Sequence, residues 1–567
     1  MKHEQLKKAL FQDNKINFAV AIFTMMLLCA ANILTAFIFK GLSDIAIDGT
    51  MEELKRFVLA TLLFIVIYVL ISMWKTVAIN RFNYKATTQY KKALFDKIIY
   101  KDINAFNNDI TGKYISMMTN DVSAVESYYT LGNINIVYQI VLMTTAVGVM
   151  LYLNWFLTIC VLAAATIPLI GTALCGNKLS EREADISEKN AGFVGYINDI
   201  FKGFAVIKSF QAEVQIIKNF AKENKTLEIA KKKRRTVANI INVVSLSASF
   251  IVTDVVCGVG VYLTLKGHAT LGTVIAFIQL LDYVVNPIQE LGPALANRKA
   301  AERLIAKAED IMDEDAEKGN TDKIGCKEFK NEITFSNVQF GYQEDQKILK
   351  SITTNFKQGE SYAIVGPSGS GKTTLLHMIL GYFDNYKGSI QIDGKELTEI
   401  SSDSLHSLIT IIQQNVFVFD DSIMKNVTMY KDFDNQRIDG AIMAAGLTQL
   451  VETKGSDYRC GENGKNLSGG EKQRVSIARA MLSNASILLA DEATAALDTT
   501  NAQNVIRSIL ELKDMTRIVV THSLNRQVLS QFDHIIVMKD GEIVDIGTFD
   551  ELYSKKELFY SLVNVYE

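Results

Sequence analysis

Six apolar runs crowd the first half of this 567-residue chain and constrain it more than any other feature. Ile16–Phe39 and Phe57–Trp74 come first. Leu131–Leu153 and Phe156–Leu174 follow, separated by the tight Asn154–Trp155 junction, and Asn239–Leu265 and Leu271–Val285 complete the set. A helix needs about 20 apolar residues to cross a bilayer. One such run could be a buried helix of a large soluble protein. Six in succession are read as an all-α transmembrane domain of six helices. The first run is too long for the apolar segment of a cleaved signal peptide. The average of 49% hydrophobic residues looks almost soluble, so it conceals two unlike halves.

Basic residues set the orientation. Lys75, Arg81, Lys85, Lys91, Lys92, Lys97, Lys101 and Lys113 lie between runs two and three. Lys178, Arg182, Lys189, Lys202, Lys208, Lys218, Lys222, Lys225 and the run Lys231–Arg235 lie between runs four and five. The alternate connections hold only Lys40, Lys55, Arg56 and Lys266. The positive-inside rule then puts the long loops and both termini in the cytoplasm. These loops lack turn-rich stretches and read as helices continuing out of the membrane. Met1–Lys15 alternates Lys with Leu, Ala and Phe, as a short amphipathic helix on the inner surface would.

A net charge of -3 argues against a nucleic-acid binder. The scattered cysteines, with no CxxC, exclude a disulfide scaffold. Only four prolines occur, and with the abundant lysine they point to regular structure and a bacterial source. Composition turns charged and Gly-containing at Asp313–Lys330. The expected division is a transmembrane domain over residues 1–312, a linker over 313–330 and a soluble α/β domain over 331–567.

That last part carries chemistry. Ser361–Val365 is a short apolar run of strand type, followed by GPSGSGKT at Gly366–Thr373 and the helical stretch Thr374–Leu380. This is GxxxxGK[ST] in its strand-to-helix context. Gly366, Gly369 and Gly371 let backbone N–H groups close around phosphate oxygens, with Ser368, Ser370 and Thr374 in the same turn. Lys372 suits the β/γ-phosphates, and the Thr373 hydroxyl suits Mg²⁺. Ile487–Glu492 is an apolar strand ending in two acids. Asp491 fits Mg²⁺ held through water, and Glu492 fits a base that orients the attacking water. Surface acids after a strand would look the same. Between these motifs lies LSGGEKQR, where Ser468, Gly469 and Gly470 open a helix. Such a start is either a second anion-binding device or a simple cap.

With these motifs in this order, the chain resembles the ABC transporter superfamily, specifically its exporter-type half-transporters. The resemblance covers essentially the whole chain. It implies a six-helix membrane domain (the ABC exporter fold) followed by a P-loop ABC ATPase domain. Gln414, in QQNVFVFDD, looks like the Q-loop glutamine that contacts Mg²⁺ and the membrane domain, with Gln413 as a neighbouring alternative. Asp498, in AALD, is similar to the D-loop aspartate, and Ala495 stands where Ser is common. His522 looks like the switch histidine that contacts the γ-phosphate, with Ser523 where Arg is often found. Tyr342, in FGYQ, resembles the tyrosine that stacks on adenine, though a core strand tyrosine would read alike. Glu462, in the Gly461–Gly464 turn, resembles the exporter loop that senses the membrane domain. Phe106–Val122 and Gly203–Glu213 look like the two coupling regions of exporters.

The resemblance implies a catalytic set of Glu492, His522 and Gln414, with ATP and Mg²⁺ as cofactors. It also implies a partner half-transporter, as homodimer or heterodimer, because the signature of one chain completes the P-loop site of the other. The expected activity is ATP-driven export of a lipophilic compound, peptide or lipid by alternating access, from a bacterial cytoplasmic membrane. Siderophore-type uptake and a sensory membrane ATPase stay open. A soluble ABC ATPase of DNA repair is excluded by the six spans. Asp254 and Asp282 interrupt the last two apolar runs, both about 16 Å from the outer ends at 1.5 Å per residue. Intramembrane acids are costly. They either line the translocation cavity, favouring a cationic substrate or carrying a proton, or bond to a neighbouring helix.

Overall fold

The computed structural model describes residues 5–101, 103–107, 111–319, 324–342, 347–493 and 499–566. The chain divides into two compact units, Met1–Ile99 with Thr111–Met312 and Tyr100–Ile110 with Asp313–Glu567.

The first unit is helical. Among the described residues five helices are long and apolar enough to cross a membrane: Lys15–Asp48, Met51–Ile99, Thr111–Leu153, Glu213–Leu265 and Leu271–Ile311. The fourth apolar run differs from expectation, because it is not one unbroken span. The extended Asn154 caps Trp155–Ala164, its Oδ1 accepting from Leu157 N at 3.0 Å. That helix closes at Ala165, and Ile167–Lys202 starts afresh with a proline in its first turn. Pro168 has no N–H to carry the ladder across the junction, whereas a helix start leaves that position unbonded anyway.

Small residues pack the interior. Ala36, Ala146 and Ala276 are buried beside Met150, Leu157, Val161, Val256, Phe277 and Leu280. In lipid there is little hydrophobic drive between helices, so close backbone approach and interhelical hydrogen bonds matter more. Asn32 Nδ2 donates to Tyr138 OH at 2.9 Å, and Tyr68 OH donates to Asn32 Oδ1 at 3.1 Å, joining three spans. Gln139 Nε2 donates to Glu290 Oε2 at 2.6 Å. Leu59 and Leu63 are 70% and 62% exposed on this unit, as a face turned to lipid would be. The N-terminal helix Gln5–Phe11 buries Leu6, Ala9 and Leu10, and Leu6 N donates to Glu309 Oε1 at 2.6 Å. Residues 1–4 of the expected amphipathic segment lie outside the described residues.

The second unit is α/β. Its strands are β1 (Glu332–Phe340), β2 (Leu349–Lys357), β3 (Ser361–Val365), β4 (Lys387–Ile392), β5 (Lys395–Glu396), β6 (Ile409–Ile412), β7 (Ile487–Asp491), β8 (Thr516–Val520), β9 (His534–Lys539) and β10 (Glu542–Gly547). One sheet runs β10-β9-β3-β8-β7-β6, parallel except for the antiparallel β10 edge. A smaller antiparallel sheet runs β2-β1-β4-β5. Strand β3 is buried throughout, which requires cover on both faces. Its residues alternate between two cores. Ala363 and Val365 pack with Val475 and Ala478 of helix Gly469–Leu482, while Tyr362 and Ile364 pack with Leu375, Leu376 and Ile379 of helix Lys372–Ile379. The P-loop helix and the signature helix therefore serve different layers, and both open toward the carboxyl ends of the parallel strands. Of the expected linker, 313–319 continue the last long helix, 320–323 lie outside the described residues, and Ile324 pairs with Ile400.

Candidate nucleotide site

The parallel strands deliver the candidate residues one by one. Ligands of open α/β sheets collect beyond the carboxyl ends of such strands. Strand β3 leads into the P-loop. Gly366 sits at φ 150°, and a Cβ there would lie 2.1 Å from Met538 O, so only glycine fits. Gly371 caps the following helix with φ 97° and no side-chain bond, leaving the first N–H groups of that helix facing the loop. Lys372 is buried, and its Nζ donates to Gly366 O at 2.9 Å and Pro367 O at 3.0 Å. Burial pulls its pKa down, against the opposing pull of Glu492 and Asp491. Ser370 is buried and its Oγ has no hydrogen-bond partner among the described residues. An orphaned hydroxyl beside a half-satisfied ammonium is what a phosphate-binding loop offers. Ser368 and Gly369 are exposed at the loop tip, while Thr374 is buried behind it.

Strands β6, β7 and β8 lie side by side and bring the acidic centre together. Strand β7 ends at Asp491, whose Oδ1 accepts from Thr373 Oγ1 at 3.1 Å. Burial raises the Asp491 pKa, and the Thr373 hydrogen bond partly opposes this. Glu492 follows in a left-handed conformation (φ 48°). Its N–H donates to Val520 O at 3.1 Å and its carbonyl accepts from Gln473 Nε2 at 3.1 Å. This fixes the backbone, so the carboxylate direction is set. Glu492 Oε2 accepts from Gln414 Nε2 at 2.5 Å, and Oε1 lies 2.7 Å from His522 Nε2. Gln414 comes just after β6 and His522 just after β8. The three residues expected to be catalytic are thus in direct contact. Gln473 belongs to LSGGEKQR but was given no role of its own in the sequence, because the motif does not show that its side chain reaches the Glu492 carbonyl.

Tyr342 follows β1 with its ring 58% exposed. Phe340 and Phe383 hold it edge-on at 5.3 and 5.5 Å, and its hydroxyl lies 3.4 Å from Thr374 Oγ1. A held but exposed ring can stack on a base. Ser468 caps helix Gly469–Leu482 in a reciprocal capping box with Glu471, and both Ser468 and Gly469 are exposed, with Gly470 next in the first turn. Cap and anion site are therefore compatible here. Glu462 is exposed in the turn Glu462–Gly464, and Asp498 lies outside the described residues. Helix Ile103–Asn107 runs into the start of the first expected coupling region, Thr111–Ser116 lies inside it and Phe204–Ser209 lies inside the second, while residues 108–110 lie outside the described residues. Asp254 and Asp282 are exposed on the first unit, and neither has a hydrogen bond or ion pair with another described residue.

The donor set fits Mg²⁺, a hard cation that takes oxygen ligands from a hydroxyl, a carboxylate and phosphates. Thr373, Asp491 and Gln414 would hold it, and when bound it would offset phosphate charge. A raised Asp491 pKa means that protons compete with the metal at a higher pH than at an ordinary aspartate. Metal binding needs the carboxylate, so it weakens as pH falls through that raised value. The Mg²⁺ concentration that half-saturates ATP hydrolysis should rise as pH falls toward that raised value, and Asp491→Asn should flatten that dependence. Equal pH responses in the two proteins would count against Asp491 as the ligand.

Comparison with known proteins agrees with this geometry. Residues 18–288 match the family model of the ABC transporter transmembrane region, and residues 349–495 match that of the ABC transporter proper. An ATP-binding/permease protein of Staphylococcus aureus named for multidrug export is 31% identical over 85% of this chain and 86% of its own length. The ATP-dependent lipid A-core flippase of Desulfotalea psychrophila is 29% identical over all of both chains. A solved bacterial Atm1-family ABC exporter with ATP bound shares the fold, at a TM-score of 0.83 and 23% identity over 97% of this chain and 98% of its own. The chain belongs to the ABC transporters, as a half-transporter with one transmembrane region and one nucleotide-binding domain. It is a multi-pass membrane protein whose cytoplasmic domain hydrolyses ATP, with Mg²⁺ as cofactor, and its half-transporter design calls for a dimeric partner.

Proposed function

We propose that the chain forms a homodimer that exports a lipophilic compound, peptide or lipid by alternating access. The observation that carries this reading is the contact of Glu492 with Gln414 and His522 beside the P-loop, on a chain with a long apolar helical half. The working division is a six-span transmembrane domain at 1–312, a linker at 313–330 and the ATPase domain at 331–567. The broken run at Trp155–Ala164 and Ile167–Lys202 supplies the remaining span. In this reading Tyr342 stacks on adenine. Gly366, Ser368, Gly369, Ser370, Gly371, Lys372, Thr373 and Thr374 wrap the phosphates, and a partner's Ser468, Gly469 and Gly470 close over them. Glu492 takes the proton of the attacking water, His522 and Gln414 hold it in place, and Glu462 and Asp498 relay the change. The relatives named for multidrug export and for lipid A-core flipping support an amphiphilic substrate.

Asp254 and Asp282 are assigned to the translocation cavity, since ionised acids left on a lipid face cost about 3 kcal/mol each. Inside-out vesicles carrying the protein should accumulate a lipophilic fluorescent substrate only with ATP, and Asp254→Asn with Asp282→Asn should change which substrates stimulate hydrolysis. Accumulation in right-side-out vesicles instead would mean uptake, and unchanged substrate stimulation in both variants would remove the acids from the cavity.

A further inference from the structure

The N-terminal helix turns its apolar face to protein rather than to lipid. In Gln5–Phe11 both Leu6 and Leu10 are 1% exposed. A helix lying on the inner membrane surface would keep those residues for the acyl chains. Two sets of contacts hold it instead. The first lies on the cytoplasmic arm of Met51–Ile99. The chain turns at Asp13, which stands in the left-handed region at φ 51°, and Lys85 Nζ donates to the Asp13 carbonyl at 2.6 Å. The next residue, Asn14, is fully buried, and its Nδ2 donates to Phe82 O at 3.0 Å. Phe82 is itself fully buried, with the rings of Phe11 and Phe18 centred 6.0 and 5.2 Å away. The second set lies on another helix. Glu309, on Leu271–Gly319, is 1% exposed, and its Oε1 accepts from Leu6 N at 2.6 Å. Burying a carboxylate is costly. No step of hydrolysis described above uses this one. Leu271–Gly319 is also the helix that leads along the chain into the second unit.

We propose that Glu309 is a positioning residue for the transport stroke: through the N-terminal helix it makes the cytoplasmic arms of Met51–Ile99 and Leu271–Gly319 move as one body. The helix is joined to the first arm by its turn and its phenylalanine contacts, and to the second by the carboxylate. A displacement that enters along Leu271–Gly319 is then handed to both arms together. Without the catch, part of it is lost as slip between them, and ATP is hydrolysed with less transport. The inference rests on the reading of alternating access driven by the ATPase domain.

Spin labels at the exposed Lys91 and Arg303 report the separation of the two arms in the full-length protein in vesicles. In the wild type that separation should be the same without nucleotide and with ATP and vanadate. Glu309→Leu removes the acceptor at nearly constant volume. Hydrogen exchange of the Leu6–Phe11 amides should then speed up at least about tenfold, the worth of a hydrogen bond to a charged group. The label separation should split into more than one value with ATP and vanadate. Lipophilic substrate moved per ATP hydrolysed should fall, while KM for ATP stays where it was. Glu309→Gln keeps an oxygen for the Leu6 N–H and should restore all three readouts. Lys85→Met loosens the other attachment and should shift them in the same direction as Glu309→Leu, so the claim does not hang on one variant. A separation that changes with nucleotide in the wild type would overturn the proposal. So would unaltered exchange in Glu309→Leu, faster exchange with an unaltered ratio of transport to hydrolysis, or equal losses in Glu309→Gln and Glu309→Leu. Failure of the underlying reading shows separately, as wild-type vesicles that hydrolyse ATP and accumulate nothing, while the exchange and label measurements still decide the clasp.

Discussion

Glu492→Gln should bind ATP as tightly as the wild type and hydrolyse it at least a hundredfold more slowly. The amide is nearly isosteric, so the P-loop, the orphaned Ser370 hydroxyl and the Lys372 clasp are untouched. The Gln473 bond goes to the Glu492 carbonyl, so the backbone placement survives the change. What disappears is the one group that can accept a proton from water at that point. General-base groups contribute about 10²–10⁴ in rate, and nothing else touching this position replaces it, because His522 and Gln414 both approach as donors to the carboxylate. Equilibrium binding of a fluorescent ATP analogue, beside phosphate release under saturating ATP, measures the two halves of the claim. Turnover near the wild-type rate would refute the assignment of Glu492.

Mixing two inactive chains should restore activity. Lys372→Ala removes the buried ammonium of the P-loop, and Ser468→Arg fills the exposed signature cap with a bulky cation. Each variant alone, as a homodimer, damages both composite sites. In a mixed dimer the P-loop of the Ser468→Arg chain meets the signature of the Lys372→Ala chain, and that site carries no change. The other site carries both. Co-reconstituted variants should therefore hydrolyse ATP at a substantial fraction of the wild-type rate, against almost none for either alone. If each chain completed its own site, no mixture would recover activity. The capping box makes the second variant informative: the Ser468 side chain accepts from Glu471 N, and that loss at a cap costs about 1 kcal/mol, too little to unfold the domain.

The sequence made the local parts of this site legible and missed the parts that need the third dimension. GPSGSGKT, LSGGEKQR and the strand ending in Asp491-Glu492 are contiguous, and each sits where a strand or helix terminus demands those residues. The six apolar runs were visible because lipid imposes a composition on every residue of a span. The break in the fourth run was also written in the chain, at Pro168, but hydropathy averages over one proline. The distant contacts left no mark. Gln473 reaches the Glu492 carbonyl from another layer, and Phe383 meets Tyr342 only because a glycine turn folds it back. Both depend on the order of strands in the sheet, which no local pattern reports. Gln413 and Gln414 were rivals in the sequence, and in the structure it is Gln414 that donates to Glu492.

The helix Met51–Ile99 has one more consequence. Its apolar stretch, Phe57–Trp74, occupies one end, and a helix from Lys75 onward is too polar to stay in the hydrocarbon. At 1.5 Å per residue the membrane arm is about 27 Å long and the cytoplasmic arm about 37 Å. Treated as a stiff lever turning near Lys75, such a rod delivers less travel at its outer end than it receives at its inner end, and proportionally more force, by roughly 1.4 to 1. A rod of this proportion is suited to prying apart closely packed helices against lateral membrane pressure rather than to sweeping a wide arc.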